Sequence, residues 1–414
     1  MANRSSELLL FLGAGATRGS GLKNKGYGLP ADAGFFDSCL VKRLLETNKY
    51  PALTMMLKYL KEHRFQASDL SPTWNLMFLL RSYSRSEVID KRGLIYYEAA
   101  SKLAGTIPAA FTGQREHYEL QVKEYRFIHE NKQDRGFYEE IAALAIWDMR
   151  VLLSDIFVLE SYSAGNGYVG LWKPPISNAG MVINLNYDFT FEGSLGYSGY
   201  EYLGRVQDDI PEKKQPLIIK PHGSLNWTSW NRWIHGRGWM YCGPWPSGKE
   251  EMSKDNLGYR MTTIPDIYSF HQQLIVTPED YKETVVGNST IPGLLDPILR
   301  TQWVKLEEYI NKAKYLAFIG YSFPSGDGHL YFLLRKAFHA SKNMEIHASC
   351  YKCEAESCGC SHCLCRTKGR IEELLGYQGD RICVHHIPRD SGDDRGIGHF
   401  LTGPDKCILN HKGG

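Results

Sequence analysis

The sequence lacks any apolar run that approaches the length of about 20 residues needed for a membrane-spanning helix. It also lacks an excess of charge of one sign, because 48 Lys and Arg residues stand against 46 Asp and Glu residues, a formal net charge of +2. This balance excludes a global attraction to nucleic acid or to an anionic membrane. With 43% apolar and 23% charged residues, the chain is typical of a packed protein without membrane association.

The cysteines lack the spread of a secreted disulfide framework, since most of the 10 fall within residues 350–365. Such a cluster favours a metal site or a reduced loop, and we therefore predict a reducing, cytoplasmic location. Thiol pairs on short turns suit a structural tetrahedral zinc, whereas a metal-free reduced loop remains the alternative. The zinc ligands would come from Cys350, Cys353, Cys358, Cys360, Cys363 and Cys365.

Short apolar runs of strand length recur along the chain, with helical stretches between several of them. This alternation predicts an α/β fold with a Rossmann-like, mostly parallel sheet of about six strands. The predicted strands are Leu8–Leu12, Met181–Leu185, Pro216–Lys220, Leu274–Thr277, Tyr315–Ile319, Met344–His347 and Arg381–Ile387.

Residues 37–165 interrupt this alternation with consecutive helical patterns. They are Phe36–Thr47, Ala52–His63, Trp74–Tyr83, Leu94–Leu103, Tyr118–Asn131 and Tyr138–Leu159. The last of these patterns, Tyr138–Leu159, carries a broad apolar stripe. We therefore predict a large helical insertion at 37–165. The Rossmann-like domain would then consist of residues 1–36 and 166–414, with a Cys-rich loop at 350–365 as the candidate zinc site.

Four short segments rich in glycine and polar residues follow or close predicted strands. They are Phe11–Thr17 (FLGAGAT), Asn184–Asp188 (NLNYD), Lys220–Trp227 (KPHGSLNW) and Phe318–Asp327 (FIGYSFPSGD). In open α/β sheets, ligands bind in the crevice at the carboxyl ends of the strands. The sequence therefore predicts a ligand site built from these segments, with the glycine-rich turn of the first segment near a diphosphate.

Taken in order, the four segments resemble the motifs of the sirtuin-like NAD-consuming family. They are most similar to its bacterial branch of NAD hydrolases used in anti-phage defence. The family's first motif continues with Gly-(Ile/Leu)-Pro, which Gly28-Leu29-Pro30 matches here after a longer intervening stretch. The resemblance implies that NAD is bound by Gly13, Ala14, Gly15, Thr17, Pro30, Gly320, Ser322 and Asp327.

The resemblance also implies that Asn186, Asp188 and His222 cleave the bond between nicotinamide and ribose. This reaction passes through an oxocarbenium-like ribose, so the protein supplies mainly positioning and electrostatics. A carboxamide holds a water, a carboxylate orients ribose or stabilises positive charge, and a neutral imidazole accepts a proton. Taken alone, the same residue types also suit an Asx turn, a structural loop histidine and, at Asp327, a helix cap.

These implications predict an NAD glycohydrolase that produces nicotinamide and ADP-ribose, in a bacterial anti-phage effector that depletes NAD. A protein deacylase of the same fold is one alternative. Against it, Ala31–Ala33 stands where deacylases have Asp-Phe-Arg, and Cys242 stands alone in the interval that holds their four zinc cysteines. A non-catalytic nucleotide-binding assembly subunit is the other alternative.

The same branch implies an enzyme that stays silent until it assembles. We expect a homo-oligomer, with the helical insertion at 37–165 as an interface or a lid rather than as the NAD site. We also expect a separate partner, an ATPase or DNA-translocase or a nucleic-acid-sensing protein. NAD is the substrate in this interpretation, and zinc is the further cofactor.

If the cysteine cluster holds a structural zinc, metal analysis of the purified chain should find about one zinc per molecule. Chelation should loosen the segment at 350–365 before it affects catalysis, because the predicted hydrolysis needs no Lewis acid and metal binding stabilises a small module directly. A metal-free protein with ordered, unbridged thiols would contradict the prediction.

Overall fold

The computed structural model divides into two compact units. The first comprises Met1–Ala31, Leu159–Ser224 and Ile298–Gly414, and the second comprises Asp32–Val158 and Leu225–Pro297. The predicted domain limits, with an inserted module at 37–165, remain a prediction. The structure describes residues 7–30, 34–66, 70, 73, 76, 79–80, 103–111, 115, 118–119, 137–157, 159, 181–188, 190–195, 201–202, 217–234, 237–242, 260–261, 271–275, 296–324, 327–351 and 361–387.

The described strands and helices follow one another in this order along the chain. The strands are β1 (Leu8–Leu12), β2 (Lys23–Asn24), β3 (Tyr27–Gly28), β4 (Met181–Asn184), β5 (Glu201–Tyr202), β6 (Leu217–Ile219), β7 (Gly223–Ile234), β8 (Arg237–Cys242), β9 (Arg260–Met261), β10 (His271–Ile275), β11 (Tyr315–Ile319), β12 (Glu345–Tyr351) and β13 (Ile382–Ile387). The α-helices are α1 (Ala14–Arg18), α2 (Cys39–Leu45), α3 (Pro51–Glu62), α4 (Phe137–Phe157), α5 (Thr190–Leu195), α6 (Asp296–Lys312), α7 (Gly328–Ala340) and α8 (Ser361–Leu375). Short 3-10 turns occupy Phe35–Asp37 and Ala109–Phe111.

The first unit is built on a parallel sheet with the strand order β13-β12-β11-β1-β4-β6-β5, seven strands within the described residues. Every pairing described in this sheet is parallel. The central strand β1 reads LLLFL, and its last four residues are buried, as expected for a strand covered on both faces. The predicted Rossmann-like α/β fold is therefore confirmed. The seventh strand is the two-residue edge strand β5, which is too short to appear as an apolar run.

One predicted strand lies outside this sheet. The run Leu274–Thr277 overlaps β10, which belongs to a sheet with the strand order β10-β7-β8, where β9 also pairs with β7. The pairs of β7 with β8 and with β9 are antiparallel. A short apolar run is compatible with either kind of sheet, so the sequence did not separate the two.

The register of β1 brings three motif segments to one level. Leu12 pairs with Asn184 of β4 on one side and with Ile319 of β11 on the other. The chain therefore leaves all three strands at the same height, at Gly13, Leu185 and Gly320. Strand β1 has β4 on one side and β11 on the other, so the strand order runs in opposite directions from β1. The carboxyl end of β1 is therefore a topological switch point, where open parallel sheets bind ligands.

Two of these turns touch through backbone atoms. The amide of Gly13 donates to Ile319 O at 2.9 Å, and that of Gly15 donates to Gly320 O at 2.8 Å. A Cβ on Gly320 would lie 2.0 Å from Ala16 N, and Gly320 has a φ of +61°. Gly13 and Gly15 thus serve close packing between the β1 and β11 turns, and their amides donate to carbonyls.

In the second unit, α3 packs on α4. Helix α3 begins at Pro51 after Tyr50, which offers no side-chain cap. Asp148 of α4 supplies it instead, because its Oδ2 accepts the amides of Ala52 and Leu53 at 2.9 and 3.0 Å. Tyr118 donates its hydroxyl to the other oxygen of Asp148 at 2.6 Å. A carboxylate buried in this way is satisfied and stabilises the helix start.

The predicted helices fall partly within these residues. Helices α2, α3 and α4 overlap predicted helices at Phe36–Thr47, Ala52–His63 and Tyr138–Leu159. The predicted helices at 74–83, 94–103 and 118–131 lie mostly outside the described residues. In the described ranges, no helix has the length and apolarity to span a membrane.

The Gly320 contact gives a stability prediction. Gly320→Ala should lower the free energy of unfolding by more than about 2 kcal/mol, since a left-handed φ is unfavourable for alanine and its Cβ meets backbone. The matched control is Gly28→Ala, where an added Cβ meets nothing within 4 Å. Urea unfolding of both variants measures the difference. Equal midpoints for the two variants would contradict the proposed packing role.

Candidate active site

The loop after β4 is held by a buried asparagine at the strand end. Asn184 donates its Nδ2 to Glu192 Oε1 and Oε2 at 3.2 and 3.1 Å. Its Oδ1 accepts the backbone amide of Asn186 at 3.1 Å. Asn184 is completely buried, and its hydrogen bonds shape the loop. Asn186, two positions later, reaches the turn of β1.

Asn186 turns its carboxamide towards the β1 turn. Its Nδ2 donates to Gly13 O at 3.0 Å and to Thr17 Oγ1 at 3.2 Å. A backbone carbonyl only accepts, so this contact fixes which end of the amide faces Gly13. Both amide protons are used, and no described group donates to Oδ1. Asn186 therefore presents an acceptor oxygen that suits a water molecule.

Thr17 links Asn186 to Asp188. Its hydroxyl donates to Asp188 Oδ2 at 3.0 Å, which leaves an oxygen lone pair for the amide of Asn186. The other oxygen of Asp188 accepts the amide of Thr190 at 3.0 Å and the Thr190 hydroxyl. Asp188 thus forms the Asx turn that starts α5, one of the structural alternatives open at the sequence level. In this structure it positions Asn186 through Thr17.

A buried ion pair lies behind this loop. Lys220, just after β6, places Nζ 3.1 Å from Glu192 Oε1 of α5, and it donates to the backbone carbonyl of Asp188. Both side chains have no solvent exposure. Burial raises the pKa of Glu192, while the charge of Lys220 opposes that shift. The amide of Lys220 also donates to Gln302 of α6 at 2.6 Å, so the pair ties β4, β6 and α6 together.

His222 is held from one ring nitrogen and faces a carboxylate with the other. Its Nδ1 lies 3.1 Å from Leu185 O, and because that carbonyl only accepts, Nδ1 carries the proton. Nε2 lies 3.5 Å from Asp327 Oδ1. The rings of Tyr187 and Trp303 each have their centroid 6.2 Å from the imidazole. His222 is 7% exposed, so it lies buried beside two aromatic rings with Nε2 turned to Asp327.

The loop after β11 alternates buried and exposed residues. Tyr321 and Phe323 are buried, whereas Ser322 between them is exposed. Phe323 has a φ of +54°, and its ring packs against Phe318 at a centroid distance of 5.0 Å. Packing of the two aromatic residues therefore leaves the Ser322 hydroxyl outside, where a ligand can reach it.

Asp327 precedes α7 but does not cap it with its side chain. Its Oδ2 instead accepts the hydroxyl of Tyr321, and its Oδ1 faces His222. Asp327 therefore occupies the N-cap position of α7, as the capping alternative expects, but its side chain makes no capping bond.

The structure brings part of the predicted site together. Gly13, Thr17, Asn186 and Asp188 share one hydrogen-bonded set, whereas His222 is held separately by the carbonyl of Leu185, the residue before Asn186. Ala14 is half-buried on the β1 turn and Pro30 is buried after β3. Sequence reasoning missed several supporting residues. Lys220 and Tyr321 lie inside the quoted motifs, whereas Gln302 and Trp303 lie on a helix with no motif to mark them.

The cysteine cluster cannot be placed as a metal site. Cys353, Cys358 and Cys360 lie outside the described residues, while Cys350 falls in β12 and Cys363 and Cys365 fall in α8. Among the described residues, no group of three His, Cys, Asp or Glu side chains is arranged to hold a metal. The zinc site stays a prediction.

The buried pair gives a second stability prediction. Lys220→Met should cost about 3–5 kcal/mol in free energy of unfolding, because it leaves the carboxylate of Glu192 buried without its partner. The double variant Lys220→Met/Glu192→Gln should recover part of that loss. The control is Lys336→Met, which breaks an exposed pair with Glu307 and should cost no more than about 1 kcal/mol. A loss in Lys220→Met as small as in the control would contradict the role of the pair.

A model of a known protein family matches the part of the chain that carries much of this site. Residues 180–355 match the model of the SIR2-like domain, a range that runs from β4 through β12 and includes Asn186, His222 and Asp327. No curated protein matches the chain. The match confirms the resemblance to the sirtuin-like family and supports an NAD-related enzymatic function. Residues 180–355 of this chain are therefore similar to a SIR2-like domain.

Proposed function

We propose that the chain is an NAD glycohydrolase, which splits NAD into nicotinamide and ADP-ribose. One observation carries the proposal. Asn186 has both amide protons bound and its acceptor oxygen open, at the switch point of a sheet in a SIR2-like domain. A carboxamide held in this way can orient a water towards ribose without adding charge. His222 follows the neighbouring strand β6 and supplies a proton acceptor.

In the proposed reaction, the bond between ribose C1′ and the nicotinamide nitrogen breaks, and its electron pair goes to nicotinamide, which leaves neutral. The ribose becomes oxocarbenium-like and is attacked at C1′ by the oxygen of a water. That water loses one proton, so the products are nicotinamide, ADP-ribose and a proton. Because the leaving group is already good, positioning and charge supply most of the rate.

Asn186 and His222 have separate roles in this reaction. Asn186 Oδ1 accepts a hydrogen bond from the attacking water and aims its oxygen. His222 accepts a proton at Nε2 from the water or from a ribose hydroxyl, because Nδ1 is already committed to Leu185 O. Asp188 acts through Thr17 on the orientation of Asn186.

NAD binding is proposed for the turns around these residues. The exposed hydroxyl of Ser322 is suited to donate to ribose or phosphate. The amides of Gly13 and Gly15 donate to backbone carbonyls, so we assign the diphosphate contact to the half-buried Ala14 of the same turn. Gly320 keeps the two turns close enough for one ligand to touch both.

The biological role is proposed from the similarity of the four motifs to the bacterial defence branch. In that role the chain depletes NAD during phage infection and stays silent until it assembles as a homo-oligomer or meets a separate ATPase, DNA-translocase or nucleic-acid-sensing partner. A cytoplasmic location fits a substrate that is a cytoplasmic metabolite.

Asn186→Ala and His222→Ala should each lower the rate of NAD cleavage by about 10²-fold or more, since each removes a positioning or proton-transfer group. Product analysis of NAD incubated with the full chain, with and without candidate activators, measures the rate.

The matched controls are Asn343→Ala and His63→Ala, which change the same residue types at exposed positions and should keep the wild-type rate. Circular dichroism checks that all four variants are folded. Wild-type turnover in Asn186→Ala would remove the carboxamide from the mechanism.

A further inference from the structure

A second carboxylate stands behind the proposed proton acceptor. Asp327 Oδ1 lies 3.5 Å from Nε2 of His222, and its other oxygen accepts the hydroxyl of Tyr321. The exposed fractions of His222, Asp327 and Tyr321 are 7%, 6% and 8%. The contact is thus shielded from water. In such a buried place the interaction between charges is stronger than at the surface.

The hydrogen bonds fix which nitrogen of His222 can change its protonation. Nδ1 donates to Leu185 O, so a proton taken during the reaction must arrive at Nε2, the nitrogen that faces Asp327. Burial and the neighbouring charge of Asp327 raise the pKa of Tyr321 well above its usual value. Tyr321 therefore stays a hydroxyl donor to Asp327 Oδ2.

The loop conformation gives independent support for this arrangement. Phe323 is held at a φ of +54°, a conformation that costs a non-glycine residue of order 1–3 kcal/mol and persists only where packing imposes it. Its ring packs on Phe318 and Tyr321, with centroid distances of 5.0 and 4.8 Å. This packing fixes the position of Tyr321, whose hydroxyl then holds Asp327 in place.

We propose that Asp327, held by Tyr321, is a positioning residue that stabilises the imidazolium formed when Nε2 of His222 accepts a proton. The proposal rests on the proposed function in one respect, namely that His222 accepts the proton. It adds a set of three residues in which the hydroxyl of Tyr321 holds the carboxylate of Asp327, and this carboxylate faces the nitrogen of His222 that becomes protonated. The three residues come from two different segments, at the ends of β6 and β11, and serve one catalytic group.

Kinetics of two variants test the roles of Asp327 and Tyr321. Asp327→Asn should lower kcat by about 10²-fold with little change in KM, because the charge acts on the imidazolium and not on substrate binding. Tyr321→Phe should lower kcat by about tenfold, the factor expected for one hydrogen bond to a charged group. The control Tyr377→Phe removes a hydroxyl that donates to Asp380 Oδ1, outside this set of contacts, and should keep the wild-type kcat.

A spectroscopic readout separates this proposal from the proposed function. The ¹⁵N chemical shift of His222 Nε2, recorded on the full chain without NAD, should change in Asp327→Asn and in Tyr321→Phe but not in Tyr377→Phe. If no form of the protein cleaves NAD yet these shifts change as expected, the proposed function fails and the positioning role of Asp327 and Tyr321 stands. If cleavage depends on His222 but neither the shift nor kcat responds to Asp327→Asn or Tyr321→Phe, that positioning role is overturned and the proposed function stands.

Discussion

The site depends on the parallel pairing of β1 with both of its neighbours. Because Leu12 is level with Asn184 and with Ile319, the turns at Gly13, Leu185 and Gly320 emerge at one height on the same edge of the sheet. A side chain at Gly320 would collide with the backbone of Ala16. The apolar run of β1 therefore sets the position of the polar groups, and the glycines make that position sterically accessible.

Polar groups this deep are stable only if they are satisfied. Asn184, Asp188, Glu192 and Lys220 meet this requirement through one another, with Lys220 joining the carboxylate of Glu192 to the backbone of Asp188. The network fixes the loop that carries Asn186, while His222 is fixed separately through Leu185 O and Asp327. Two separate sets of contacts thus hold the two side chains to which the proposed mechanism assigns the chemistry.

The sequence predicted the parallel sheet and the segments at its edge because buried parallel strands are continuous apolar runs. Period-two alternation places Asn184 and Asn186 on the same side of the chain, so only the motif resemblance favoured Asn186 over Asn184 as the catalytic carboxamide. Asp327 was expected to bind NAD or to cap a helix, and its contact with His222 depends on the strained turn at Phe323. Gln302 and Trp303 contact Lys220 and Pro221 from a distant helix, a relation that only the tertiary structure reveals.

The most direct test of the account is the amount of free nicotinamide and free ADP-ribose formed from NAD by the full chain when no peptide is present. The account predicts equal amounts of the two products, formed at a rate that depends on Asn186. It would be contradicted if nicotinamide appeared only after an acyl-lysine peptide was added, because NAD would then serve deacylation instead of hydrolysis.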